Sequence, residues 1–591
     1  MNDFSEQSKA DIIIAKQHEK RLQVLHDARV QIQNMDAGDV VDAILAFSQP
    51  RALVHSFPAS ELHLLLHDIG LADCLPLLSL AANRQWEYLL DYEVWIRDRW
   101  ASLIYIEWLE RFLEADPQRL IDWLLDSPQD ELVLFLSRHV HVRVREHDEP
   151  LSTIDSDYIS FDDILYFKIL TPDMNTVDND DDSIPGAPWA DTVVSLLKLL
   201  AEADHVRYQQ LLFESTGLLD AEIEEEAYRK RCVRLSEKGF MAPEEAVGIY
   251  QPIPLSRLTD VVLGKNWSRD TADTAGISRL AARLLEETQD GGAALIAQLP
   301  VALKETFAPE FAALCNQLIS ADGFQVKGKD AVAAVVSRAA SMIRLGIEVL
   351  LEASGNTDFS ERSVQAMLAA VSLKDLFRAG NSRVYALKKD AEVWVNQSWF
   401  RKNKLPLRFW GEQGMGVLGG LLLDRPQWFD TDATVDSFYR AFASVSDANA
   451  AKRCLETLIA LDTVLSCIVT RTDWIQKRDI SAMEVFFTLW ALKKIGKEGD
   501  QRALYSREAT TAFDYFWQGA GVPRSVSPVL VDEVREWLHC KQAFSGDEER
   551  QTAFLSWLAD AVGQIENEYG TVKTSDVDAR FLRMFSVFSE I

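Results

Sequence analysis

The chain has 591 residues, 48% hydrophobic and 26% charged, a balance that excludes global disorder and is too long for a single hydrophobic core. Its 91 Asp and Glu outnumber 61 Lys and Arg, and the formal charge of −30 opposes binding to nucleic acid backbones and anionic lipid heads. With only 27 glycines and 18 prolines, a turn-rich all-β fold is disfavoured.

The apolar run Ile12 to Ala15 is far shorter than a signal-peptide core. The longest apolar stretch, Val417 to Leu423, falls well short of the ~20 residues of a membrane span. Cys74, Cys232, Cys315, Cys454, Cys467 and Cys540 form no C-x-x-C pair and are read as reduced, mostly buried thiols. The expectation is a cytoplasmic protein with no membrane span.

The first 138 residues read as closely spaced short helices. Lys9 to Gln33 is a long amphipathic candidate and Asp39 to Phe47 a short one. Ser60 to Asp68 follows Pro58 and stops at Gly70. Asp116-Pro117 and Ser127-Pro128 each place an acceptor at the N-cap and proline at the first helical position. Helices this short need stacked neighbours, the logic of a superhelical array. Trp86, Trp95, Trp100, Trp108 and Trp123 are read as packing between them.

At His139 the pattern changes. His139 to Arg145 alternates strictly, and Tyr158 to Ile169 is a second strand candidate, so one small β-hairpin is predicted near residues 139–170. From Asp148 to Glu226, twenty acidic residues face Lys168, Lys198 and Arg207, a net of 3 − 20 = −17. Asp173 to Pro185 reads as an exposed loop. Glu222 to Glu226 open a helix that turns basic at Arg229, with Glu225–Arg229 and Glu226–Lys230 as i,i+4 pairs.

Beyond Pro254 the reading is again helical: Ile277–Glu287, Ala331–Glu352, Ser363–Ala370, Leu376–Val395, Thr434–Phe442, Ala448–Thr470, Ala482–Lys494, Val531–Cys540 and Glu548–Asn567. The fold class is therefore all-α, a multi-helix and partly superhelical array. Four regions are expected, 1–138, 139–254, 255–410 and 411–591.

Several motifs invite chemistry. Gly323 to Lys329 matches the first seven positions of a phosphate-binding loop, but Asp330 stands where Ser or Thr should hold magnesium, and helix precedes it. Asp330 is read instead as a cap for the helix from Ala331. Gly414 to Gly419 spells a dinucleotide fingerprint without its βαβ unit, and is read as close helix packing. His63 and His67 lie one helical turn apart; HExxH is absent and spacing fixes no third ligand, so they are read as two partly exposed histidines. Glu202/His205 and Glu536/His539 fit E-x-x-H, as chance allows in an acidic chain. His139, His141 and His147, with Asp180 and Asp182, are the candidate divalent-cation ligands, His139 and His141 sharing a strand face. Lys374 to Arg408 carries a net 9 − 3 = +6. Within it Arg401, Lys402, Lys404 and Arg408 interleave with aromatics and are candidate binding residues, for protein rather than nucleic acid. No G-x-S-x-G or nucleophile–base set is legible.

Two resemblances follow. PASELHLLLHDIGLADCLPLLSLAANRQWEYLLD and ADPQRLIDWLLDSPQDELVLFL, within Pro58–His139, resemble the short-helix superhelical modules of magnesium-transporter cytoplasmic domains and flagellar motor-switch proteins. HDIGLADCLPLLSLA, EEEAYRKRCVRLSEKGF with EEAVGIY, LFRAG and GGLLLDRP are similar to a bacterial family of long cytoplasmic proteins of unassigned function. That resemblance implies a shared fold across the chain and no chemistry.

The leading expectation is an interaction or scaffold protein whose acidic segment docks a protein partner with a basic surface. The alternatives are a divalent-cation-responsive regulatory module and an enzyme of unrecognised type. No cofactor beyond a divalent cation is expected, and the sequence sets no oligomeric state.

Overall fold

The computed structural model describes residues 19–126, 130–146, 149–150, 153–170, 189–216, 220–262, 284–285, 301–355, 359–431, 438–476, 480–518, 523–544, 546–573 and 576–588. The described chain is mostly helical and gathers into two compact units. The first draws on Met1–Ile249, Asp270–Gln289 and Ile296–Ser337, the second on Tyr250–Arg269, Asp290–Leu295 and Arg338–Ile591.

The first unit opens with α1 (19–33), α2 (Ala37–Ala46), α3 (Pro50–Ser56), α4 (Ala59–Ile69), α5 (Leu75–Leu80) and α6 (Asn83–Glu93). Isolated helices of this length are marginal in water, so each depends on a buried face. Leu62, Leu65 and Leu66 supply it on α4, and Trp86, Leu89 and Leu90 on α6. Gly70 ends α4 with φ 101°, a conformation that glycine adopts without strain. After a two-stranded turn, β1 (Trp95–Ile96) with β2 (Arg99–Trp100), come α7 (Ser102–Ala115), α8 (Pro117–Asp126) and α9 (Asp130–His139). Asp116 Oδ1 accepts the Arg119 N–H at 3.2 Å, the expected cap; Ser127-Pro128 lies outside the described residues. Trp86, Trp95, Trp100 and Trp108 are all buried and Trp123 partly so, as core packing requires.

The hairpin expected near 139–170 is present. β3 (Val140–Val144) pairs antiparallel with β4 (Leu165–Ile169), Val140 opposite Ile169. β4 is shorter than the pattern suggested because Asp163 is left-handed (φ 57°) and the Asp162 carboxylate accepts the Ile164 and Leu165 N–H groups. Then come α10 (Ala190–Ala203), α11 (His205–Thr216), α12 (Asp220–Ser236) and α13 (Pro243–Ala246). One hydrophobic cluster runs from Ile32 to Ala227. α14 (Leu255–Val262) belongs to the second unit, while α15 (Val301–Ala321) and the first turns of α16 (Lys329–Ala353) belong to the first.

The second unit takes the rest of α16, then α17 (Glu361–Ala370), α18 (Leu373–Gln397), α19 (Trp399–Lys402), α20 (Gly411–Leu422), α21 (Val445–Ile468), α22 (Asp473–Gln476), α23 (Ala482–Lys494), α24 (Ser506–Asp514), α25 (Val529–Cys540) and α26 (Glu548–Tyr569). Local chemistry starts many of these. Ser372, Ser398, Ser444 and Asp547 each accept a first-turn N–H, and Ser481 with Glu484 forms a reciprocal capping box.

Four expectations need correction. Among the described residues there are four two-stranded sheets and not one, the last two being β5 (Trp428–Phe429) with β6 (Tyr439–Arg440) and β7 (Trp517–Gln518) with β8 (Ser525–Val526). Thr434–Phe442 was expected to be helical. Residues 432–437 lie outside the description, and Tyr439–Arg440 is strand: Tyr439 donates to the Gly416 carbonyl (3.1 Å) and Arg440 grips Asp430 and Asp447. Such cross-chain partners override local helix propensity. Asp330 sits in the first turn of α16 and not at its cap; that turn is anchored by Asp68, whose carboxylate accepts the Lys329 N–H at 2.8 Å. Of the six cysteines only Cys74 and Cys315 are buried, and all are free thiols. Among the described residues no helix is long and apolar enough to cross a membrane.

Two places test the packing. α16 and α18 cross backbone to backbone at Gly346 and Gly380. A methyl on Gly346 would run into the Leu376 carbonyl, and one on Gly380 into the Met342 carbonyl. A backbone group cannot swing aside, so Gly346→Ala should lower stability by about 3 kcal/mol in urea denaturation, despite alanine's better helix propensity. Glu508 starts α24 and accepts from Arg502 (2.8 and 2.9 Å), Lys497 (2.6 Å) and the Tyr505 N–H (2.9 Å). The Arg502 guanidinium, aided by these donors, draws its carboxyl down to about 2. A depressed folded-state value contributes stability above the unfolded value of about 4.5 that is lost as pH falls toward 2. Glu508→Gln should therefore destabilise at pH 7, and the gap in melting temperature from wild type should close between pH 4.5 and 2.

Candidate functional site

Residues one turn apart on a helix project from the same face, so His63 and His67 leave α4 together. α6 packs against that face and ends at Glu93. Both histidines reach the same carboxylate oxygen. His63 Nε2 donates to Glu93 Oε1 at 2.6 Å and His67 Nε2 at 2.7 Å; a carboxylate only accepts, so each Nε2 carries a hydrogen. The second oxygen, Oε2, accepts from Lys327 Nζ at 2.6 Å. The Glu93 and His63 side chains are 2% and 1% exposed, and His67 is 13% exposed. The two histidines expected to be partly exposed are thus largely buried, because α6 closes over their face. The partner that spacing could not supply is Glu93, 30 residues beyond His63.

The electrostatics suit ligation. Burial raises Glu93, but hydrogen bonds from His63, His67 and Lys327 outweigh it and hold the carboxyl well below the usual range, so it stays ionised. Burial pushes the His63 imidazole below its ordinary value against the pull of Glu93, which keeps the ring neutral near pH 7. The Tyr92 ring lies 4.3 Å from it, centroid to centroid. One ligand atom from each of His63, His67 and Glu93 lies within 4.8 Å of the others. A cavity of about 40 Å³ borders His63, with Tyr88, Tyr92 and Val326 in its wall. It has room for about one or two waters and not for an organic substrate.

α6 buries a second carboxylate two residues earlier. Asp91 is chelated by Arg234 of α12 (2.9 and 2.6 Å), and its carbonyl accepts from Arg231 Nε at 2.6 Å. Arg231 is fully buried, its guanidinium facing the rings of Trp95, Tyr228 and Phe324. Glu224 of the same helix accepts from the Trp100 N–H at 2.8 Å and from Arg138 at 2.5 Å. The expected Glu225–Arg229 pair forms at 2.5 Å, whereas Lys230 reaches Asp130 on α9 rather than Glu226. The i,i+4 pairs describe only the helix itself; Arg231 and Arg234, three apart on one face, are the sequence signal that it serves its neighbours.

The other candidates are dispersed. His139 closes α9, its Nε2 on Ser102 Oγ (2.8 Å) and its ring against Phe135 and Trp189. His141 sits exposed on β3 with Nδ1 on the Tyr158 hydroxyl (2.8 Å). They share no strand face, because His139 is still helical. His147, Asp180 and Asp182 lie outside the described residues. Arg401, Lys402, Lys404 and Arg408 are exposed, while the flanking Phe400, Phe409 and Trp410 are buried against one another and Trp399 is half-buried. Glu202, His205, Glu536 and His539 all face solvent. The fingerprint glycines pack closely as expected, Gly414 against Trp410 and Leu458, Gly416 under the Phe429 ring and Gly419 against the Tyr439 hydroxyl.

Fold and site together define an all-α protein of two helical units, the first built around a buried His–His–Glu–Lys cluster. The chain belongs to a family of unknown function, DUF6178, whose model matches residues 16–587. No curated protein and no solved structure matches it. The likeness of Pro58–His139 to transporter and motor-switch modules gains nothing from these comparisons.

Proposed function

We propose that this chain is a divalent-metal-binding regulatory protein that holds a zinc-class ion on His63, His67 and Glu93. The observation that carries the reading is the convergence of both imidazole Nε2 atoms on one buried oxygen, Glu93 Oε1. Two neutral imidazoles and a carboxylate are a zinc-class donor set, and three protein ligands leave a position for water. Ligation through Nε2 requires each ring to carry its proton on Nδ1. An ion there would tie α4 to α6, so its binding free energy would add to the stability of the first unit. The expected result for the chelator-treated full chain is one zinc bound per molecule by calorimetry. At 100-fold excess over Kd that adds about 2.7 kcal/mol, a melting-temperature rise of several degrees. His67→Ala and Glu93→Gln should each weaken binding at least ~100-fold, while His539→Ala, on an exposed histidine, should not. Zinc binding that is absent, or indifferent to His67 and Glu93, overturns the reading.

A second reading, docking of a basic protein partner, is favoured by the acidic stretch Asp148–Glu226. In it Asp191, Glu202, Asp204, Glu214, Glu222, Glu225 and Glu226 all face solvent on α10 to α12. Capture on the immobilised chain should then weaken as salt rises and fall on deletion of residues 173–183. Capture unchanged by that deletion counts against it.

A further inference from the structure

The phosphate-loop look-alike Gly323 to Lys329 delivers a cation, Lys327, to the site. It joins α15 to α16 in a path with three left-handed residues among six: Gly323 (φ 76°), Phe324 (φ 58°) and Gly328 (φ 85°). Glycine adopts that region freely and phenylalanine does not. Phe324 is held there by burial, its ring 5.2 Å from Tyr92 and 5.5 Å from Phe240, with the Arg231 guanidinium 4.9 Å away. The loop is pinned on both sides of Lys327. Tyr92 donates to the Val326 carbonyl at 2.8 Å, and the Lys329 N–H donates to Asp68 Oδ1 at 2.8 Å. Tyr92 and Asp68 are the chain neighbours of Glu93 and His67, so the loop is fixed to the same two helices that carry the ligands. Space at the junction is tight: a Cβ on Gly328 would come 2.9 Å from Asp68 Oδ1.

Resting on the metal reading above, we infer that Lys327 is a positioning residue that sets which cation the centre takes. Its ammonium occupies Glu93 Oε2, so only Oε1 faces the histidines. The carboxylate then binds an ion through one oxygen. That gives two nitrogens and one oxygen, enough for a tetrahedral zinc with one water. Harder cations favour more oxygens, and the larger ones, calcium and manganese, can take a carboxylate through both of its oxygens. An ammonium on Oε2 denies them that second oxygen. Lys327 is 46% exposed at its side chain while Glu93 is 2% exposed, so Lys327→Met removes no core packing but leaves Glu93 Oε2 without this donor.

The test is competitive titration of the full chain with zinc and with manganese, reading the ratio of the two Kd values. Lys327→Met frees Oε2, and the preference for zinc should fall at least tenfold. Lys327→Arg keeps a charged donor on Oε2 and should hold the ratio within about twofold of wild type. A ratio that Lys327→Met leaves within twofold, in a variant that still binds zinc, overturns the role of Lys327 and leaves the metal reading standing. Failure of the wild type to bind either ion removes both. A crystal structure of the zinc-loaded wild type gives an answer that needs no variant. Glu93 bound through Oε1 alone, with Lys327 on Oε2, supports the inference; both oxygens on the metal defeats it.

Discussion

The first unit is organised by two carboxylates buried two residues apart on one short helix. Asp91 and Glu93 leave α6 on different sides, and neither can remain ionised in the interior without donors. An isolated buried charge costs several kcal/mol, so hydrogen-bond donors and cations must be brought from elsewhere in the chain. α12 supplies Arg231 and Arg234 to one side. His63, His67 and Lys327 meet the other. Much of the long-range order of this unit follows from that demand: α12 lies along α6 and α9 because its basic face is needed there, and the loop before α16 is drawn in by its lysine.

Helices were legible wherever their signals were local. α23 has the very bounds its periodicity implied, because Ser481 and Glu484 cap it from within the same turn. α21 begins three residues earlier than its pattern suggested because Ser444 caps it there. The two-residue β pairs, unlike the β3–β4 hairpin, were opaque for the opposite reason. Two-residue strands carry no periodicity, and Tyr439–Arg440 is extended because of what Gly416, Asp430 and Asp447 offer it. The candidate site divides along the same line. His63 and His67 were visible as an i,i+4 pair, while Glu93 and Lys327 entered through tertiary contacts that no window of sequence contains. Histidines that looked attractive by adjacency, His139 and His141, were separated by the helix-to-strand boundary between them.

The sequence look-alikes share an explanation. Glycine clusters that imitate nucleotide-binding loops arise here from backbone crowding. Gly414 and Gly416 admit the Leu458 side chain and the Phe429 ring against α20, and Gly323 and Gly328 bend the chain tightly enough to bring a lysine onto a carboxylate. The same residue type at similar spacing answers a packing need in one case and a phosphate in the other. What separates them is the flanking element: a phosphate loop needs a strand before it, and the loop here follows helix α15.

The separation along the chain between Glu93 and its lysine has a consequence in time. His63 and Glu93 are 30 residues apart and can meet early in synthesis, but Lys327 follows Glu93 by 234 residues. Closing a loop of that length costs about 2 kcal/mol more in chain entropy than closing the shorter one, and it must wait until Lys327 has been made. During synthesis there is therefore an interval in which the histidines and the carboxylate are present while Oε2 is still uncovered. The nascent unit would offer any ion it met a different set of oxygens from the one the finished protein offers. The last piece of the cluster to arrive is also the one that marks the unit as complete.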